Sequence, residues 1–333
     1  MILHPGILAL IAGTFISFCM LLYGSAVAVV IIRQWDYTSS SARQLRLERQ
    51  TYLISTLVSY VFGFYILAVF LFIFTIDDIH GLFVGAMCAT GALNANPVGW
   101  LALLSKILLF FLAGFWLALN HIDQKAEDYP FVRRKYFLLL FILPIAAADG
   151  YLLVDYFGGL EPDIITSCCG SLFGESGGVA SSLAALPHFP TMIIFFFLSL
   201  LLLLLFLLTI FWRTNVLRLL LLIVAAVFLI VSMAAVISFI SVYVYEMPTH
   251  HCPFDMLQHH YGYIGYPLYI TLFTGVLYAM LPGLFLFAFN HRTLQDQILL
   301  LERKWLIMGM TNILISTILL IGIIMASNLT MVQ

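Results

Sequence analysis

The chain has 333 residues, 63% hydrophobic and 9% charged, against roughly 45–50% and 25% in an average soluble domain. Fourteen basic and sixteen acidic residues cannot give so much apolar surface a soluble coat, and a net charge of −2 leaves no basic face to neutralise several phosphates. A soluble enzyme and a nucleic-acid-binding protein are excluded. What remains is an all-α polytopic membrane protein whose first partner is the lipid bilayer.

Eight apolar segments follow one another along the chain, at about 6–32, 51–76, 99–119, 136–156, 190–212, 216–243, 267–290 and 305–326. Met192–Trp212 carries no charge, matching the ~20 residues that cross a hydrocarbon core about 30 Å thick. Backbone groups in lipid must satisfy one another, so continuous Leu, Ile and Phe runs predict transmembrane helices. The first segment lacks a basic leading region and exceeds a signal-peptide core, so it reads as a retained helix.

Basic residues set the orientation. Arg33, Arg43, Arg46 and Arg49 border the first loop, and Lys125, Arg133, Arg134 and Lys135 the third. Arg213 and Arg218 flank the fifth, and Arg292, Arg303 and Lys304 the seventh. That is thirteen of the fourteen Lys and Arg residues on one side. The positive-inside rule then predicts that both termini are extracytoplasmic, in a plasma or inner membrane.

Landmarks recur between the two halves. Asn120-His121 closes the third helix and Asn290-His291 the seventh; Lys135 and Lys304 follow at similar distances; Cys88 precedes Gly99-Trp100 as Cys252 precedes Gly265-Tyr266. This order suggests two parallel four-helix repeats, residues 1–156 and 190–333, joined by an extracytoplasmic loop, 157–189.

Chemistry gathers on the predicted outer face. Cys88, Cys168, Cys169 and Cys252 fall in outer loops, with seven of the nine histidines: His4, His80, His188, His250, His251, His259 and His260. The acids of those loops include Glu246 and Asp255, and no basic residue balances them. The loop 246–266 is densest, holding His250-His251-Cys252 and His259-His260. Imidazole with thiolate suits copper, zinc or haem iron, although no closed zinc-site spacing occurs. Cys88, Cys168, Cys169, His250, His251, Cys252, His259 and His260 are the candidate metal ligands. The cysteines admit three readings: a structural disulfide, a metal or haem site, or thiol–disulfide exchange with a partner.

Segment 80–98 is apolar yet broken by Gly, Asn and Pro. It reads either as a re-entrant loop, with Asn94 and Asn96 lining a cavity, or as a plain turn with Pro97 opening the third helix. Inside the spans, Lys106 and Asp149 fall at one depth of a helical hairpin and are candidates for an intramembrane pair. His121 and His291 as axial haem ligands are weaker candidates than histidines at helix ends that favour the helix dipole.

No P-loop and no dinucleotide fingerprint is present, which argues against use of ATP. The leading expectation is a membrane component of an extracytoplasmic metal-handling or electron-transfer system, docking a metalloprotein or cytochrome on its acidic outer face. A secondary transporter centred on Lys106–Asp149, with structural disulfides, is the alternative. A structural anchor subunit of a larger complex is a third.

Overall fold

A computed structural model describes residues 3–36, 39, 41–125, 129–161, 186–287 and 295–329. Those residues are helical with no β-strand, and eight helices are long and apolar enough to cross a membrane. The chain divides into two compact units: residues 1–84 with 92–165, and residues 85–91 with 166–333.

Unit 1 is built from α1 (Pro5–Gln34), α2 (Ala42–Ile79), α4 (Gly99–Asp123) and α5 (Val132–Gly158). A short helix, α3 (Ala89–Asn94), carries the chain from α2 to α4, and the boundary between the units falls within it. The four long helices close a ring in which each packs on its sequence neighbours and α1 meets α5. This is up-down bundle connectivity, which short loops favour. Val58, Phe62, Leu109, Trp116, Tyr136 and Leu139 fill its centre. Helix α2 starts nine residues before the apolar segment at 51. Ser41 caps it, its hydroxyl accepting from Gln44 N at 3.3 Å. The intervening Arg, Gln, Leu and Glu residues are strong helix formers; the Arg side chains are exposed, while Gln44 and Leu47 are buried. Hydropathy marks where lipid begins; the helix continues beyond it.

Unit 2 comprises α6 (His188–Trp212), α7 (Asn215–Ala235), a π-helical turn (Val236–Ile240), α8 (Ser241–Tyr245), α9 (Gly265–Met280) and α10 (Gln295–Ala326). Helix α6 packs on α7 and α10, and α9 on α7 and α10, so this unit closes the same kind of ring. Helix α9 ends ten residues short of the segment limit at 290. Pro282 has no N–H to continue the ladder, and Leu281–Phe287 tightens into a 3₁₀ turn.

Large apolar side chains point away from both cores. Phe15, Tyr60, Leu67 and Phe141 in unit 1, and Phe197, Leu200, Phe211 and Ile230 in unit 2, are exposed. Apolar faces on this scale match a hydrocarbon environment rather than water. The chain is an integral membrane protein.

Candidate functional site

The densest set of reactive side chains lies in unit 2, in the loop between α8 and α9. Helix α8 stops at Glu246, whose φ of 56° is left-handed, and Met247-Pro248 turns the chain so that His250 N donates to Met247 O at 3.2 Å. Buried tyrosines then clamp the loop. Tyr245 Oη donates to Cys252 O at 2.6 Å and accepts from Met256 N at 2.9 Å. Tyr269 Oη donates to Pro253 O at 2.5 Å. Gly265 opens α9 where a side chain would strike Met256 Cγ at 2.7 Å, so glycine permits the loop to lie on the helix start. Gln258 Nε2 donates to Met87 O at 3.0 Å and anchors the segment that carries Cys88.

These restraints bring Cys88 and Cys252, 164 positions apart, to an Sγ–Sγ distance of 3.2 Å with neither thiol exposed. No disulfide joins the two sulfurs at this distance. Thr90 Oγ1 lies 3.3 Å from Cys252 Sγ, and Phe254 N donates to that sulfur at 3.4 Å. Deprotonated, these sulfurs would be the form that binds metals and attacks disulfides. Asp255 completes the group: a carboxylate oxygen and the two sulfurs lie within 4.8 Å of one another. His250 Nε2 bonds to Asp255 Oδ2, a carboxylate–histidine contact of the type that orients metal ligands. Burial pushes the Asp255 carboxyl up, but the hydrogen bond from His250 and contacts from both thiols outweigh it, so the group titrates below the usual aspartate range. Two sulfurs and an anionic oxygen within one small volume can hold a soft or borderline cation. The two sulfurs alone can also close into a disulfide.

The remaining candidates are dispersed. His251 stacks on His188, ring centroids 5.8 Å apart. His259 and His260 form an exposed 3₁₀ turn outside the thiol cluster, His260 Nε2 lying 2.9 Å from Gln258 Oε1. Cys168, Cys169 and His291 lie outside the described residues.

Unit 1 holds a different polar centre. Lys106 Nζ lies 3.1 and 3.3 Å from the two carboxylate oxygens of Asp149, and both side chains are essentially unexposed. Ser105 Oγ donates to Asp149 Oδ1 at 2.7 Å, and the Phe72 ring sits 5.3 Å from the ammonium. The hydroxyls of Thr14 and Tyr65 are buried without a hydrogen-bond partner among the described residues. Asn96 ties its segment to the end of α5, its Oδ1 accepting from Val98 N at 2.9 Å and its Nδ2 donating to Asp155 O and Tyr156 O at 3.4 Å. Asn94 Oδ1 accepts from Trp100 Nε1 at 2.8 Å.

Two further buried ion pairs escape a reading by hydropathy, because their members stand at segment ends. Lys135 bonds Asp123 at 2.7 Å and Asn120 at 2.9 Å in unit 1. Arg218 grips Glu302 bidentately at 2.6 and 2.8 Å in unit 2 and also bonds Asn215. Asp255 was discernible as well: the run Cys252-Pro-Phe-Asp255 places a carboxylate one tight turn from the thiol.

No protein-family model, curated protein or solved structure matches the chain.

Proposed function

We propose that this protein is an integral membrane component of a metal-handling or redox system, working on the extracytoplasmic side at Cys88, Cys252 and Asp255. The observation that carries the reading is the 3.2 Å approach of two buried thiols beside a carboxylate. Soft sulfur donors select copper or zinc over magnesium or calcium, and His250 behind Asp255 supplies the outer bond that fixes a ligating carboxylate. In the redox mode the same thiols exchange with a disulfide of an extracytoplasmic partner: Cys88 and Cys252 close to a disulfide while the partner's disulfide opens to two thiols, taking up the two electrons and two protons.

The outward placement rests on the thirteen cytoplasmic-type Lys and Arg residues, which by the positive-inside rule put both termini and the 246–266 loop outside. Duplication of a four-helix unit is supported by the recurring landmarks and by the two rings of like connectivity. An acidic outer loop set without basic residues suits an extracytoplasmic metalloprotein or cytochrome as partner.

The test is a titration of full-length protein with Cu(I), and separately with Zn(II), in parallel with Cys88→Ser/Cys252→Ser. One equivalent bound by the parent and lost in the variant supports the metal mode. Reversible conversion of both thiols to a disulfide, without metal uptake, supports the redox mode. Equal binding in both proteins and thiols inert to both oxidant and reductant would sink the proposal.

The second reading is a transporter, favoured by the buried Lys106–Asp149 pair, since ionisable groups in a span cost about 2.5–3.5 kcal/mol each and are retained for a reason. Lys106→Met then abolishes transport and leaves the thiol site intact.

A further inference from the structure

A cavity of about 80 Å³ opens at the end of unit 1 where α1 stops and α2 begins. Every long helix of the unit contributes to its wall. Trp35 caps the end of α1 and Gln124 the end of α4, Glu48 and Tyr52 come from the first three turns of α2, and Lys135 from the first turn of α5, with Tyr129 just before it. Trp35 and Tyr129 meet edge to face, ring centroids 6.4 Å apart at 86°. The tryptophan backbone is fixed on both sides, its N–H donating to Ile31 O at 2.9 Å and its carbonyl accepting from Arg133 Nη2 at 2.7 Å.

The carboxylate on the wall is held as well. Buried Gln44 accepts from Asp36 N through Oε1 at 3.2 Å and donates from Nε2 to Glu48 Oε1 at 3.1 Å. Two wall residues are charged. Lys135 is cancelled by Asp123, 2.7 Å away and equally buried, whereas Glu48 forms no ion pair among the described residues. Three aromatic residues and an unpaired carboxylate around one cavity are the components of a cation cage, in which ring faces attract a methylated ammonium. A single water needs ~10–15 Å³, so a cavity of about 80 Å³ takes a group of about five or six heavy atoms, the size of a trimethylammonium head. The site also lies at headgroup depth, since the apolar run of α2 begins at residue 51 and tryptophan and tyrosine favour that boundary. Partition into the interface accounts for the rings but not for a carboxylate fixed among them.

We propose that this cavity binds a quaternary ammonium group, caged by Trp35, Tyr52 and Tyr129 and paired with Glu48. The group comes either from a phosphatidylcholine head in the adjoining leaflet or from a free choline-like solute. The site belongs to unit 1, and its test leaves the thiols of unit 2 in place.

The test uses full-length protein in nanodiscs of phosphatidylglycerol alone, dialysed to equilibrium against radiolabelled choline. Saturable binding beyond that of empty nanodiscs is expected. The uncharged isostere of choline, in which carbon replaces nitrogen, should displace the label only at about fivefold higher concentration or more. Glu48→Gln and Tyr52→Ala fall at exposed positions, so the core is left intact, and each should weaken choline binding about fivefold or more. Tyr60→Ala, at another exposed tyrosine of α2, should leave it unchanged. Replacing half of the lipid by phosphatidylcholine separates the two sources. Choline binding that disappears assigns the cavity to the lipid head, and binding that persists assigns it to a free solute. No saturable binding, equal displacement by the uncharged isostere, or an affinity unmoved by both Glu48→Gln and Tyr52→Ala would each overturn the proposal.

Discussion

Two buried polar clusters, one in each unit, are built in opposite ways. In unit 1, Lys106 and Asp149 neutralise each other at 3.1 Å, and Ser105 adds a bond to the carboxylate. In unit 2, Cys88, Cys252 and Asp255 gather donors of one kind, thiols and a carboxylate, with no cation among the three. A group that completes itself tolerates lipid burial; a group rich in electron pairs is completed by something from outside. On the function proposed above, that contrast separates structure from chemistry, since both clusters are buried.

Charge removal in unit 1 should give the largest effect. Breaking a buried pair from one side costs about 3–5 kcal/mol, so Lys106→Met and Asp149→Leu should each lower stability by that much in detergent-monitored unfolding. The double variant should recover most of the loss. Singles as mild as the double would mean that the two charges do not complete each other. Arg218→Met tests the principle in unit 2, where Glu302 would be stranded, and should cost about the same.

Next comes the clamp over the thiols. Tyr245→Phe leaves Cys252 O and Met256 N without their shared hydroxyl. Stranding buried polar groups costs about 1–3 kcal/mol, and metal affinity at the cysteines should fall with it. Unchanged affinity would show that the loop holds its shape without the tyrosine. Cys88→Ser should itself lower stability in reductant by no more than about 1–3 kcal/mol, the cost of a buried hydroxyl whose hydrogen bonds are incomplete.

The smallest effect concerns the tail. Bonds from the Asn328 backbone and side chain hold the exposed Glu246 carboxyl below its usual range. A depressed folded pKa means that the contact contributes above the unfolded pKa, about 4.3, and is lost as pH falls through the lower folded value. The protection factor of the Asn328 amide, its exchange rate relative to the intrinsic rate at each pH, should fall on acidification, and Glu246→Gln should remove most of that pH dependence.

Much of the architecture is legible in the sequence because lipid imposes a length and a composition on every span. Eight hydropathic segments correspond to eight helices. Their ends are less legible: Ser41 starts α2 early through a cap, and Pro282 stops α9 early, both local effects that an apolar window averages away. The site is legible in its residue types and not in its partners. Cys252 and Asp255 share a turn, but the approach of Cys88 to Cys252 is a tertiary fact without local signal. The stacking of His188 on His251 rests on carbonyls of a π-helical turn, whose residues Val236–Ile240 carry no turn signature.

The central claim is that Cys88 and Cys252 form a site completed from outside. Its most direct test is the metal content and thiol count of untagged full-length protein as isolated, beside Cys88→Ser/Cys252→Ser. The account predicts copper or zinc that the variant lacks, with the two thiols shielded from alkylation until the metal is stripped, or a disulfide that mild reductant opens reversibly. A parent protein with the same metal content as the variant, and with Cys88 and Cys252 locked in a disulfide that reductant opens only on unfolding, would contradict it.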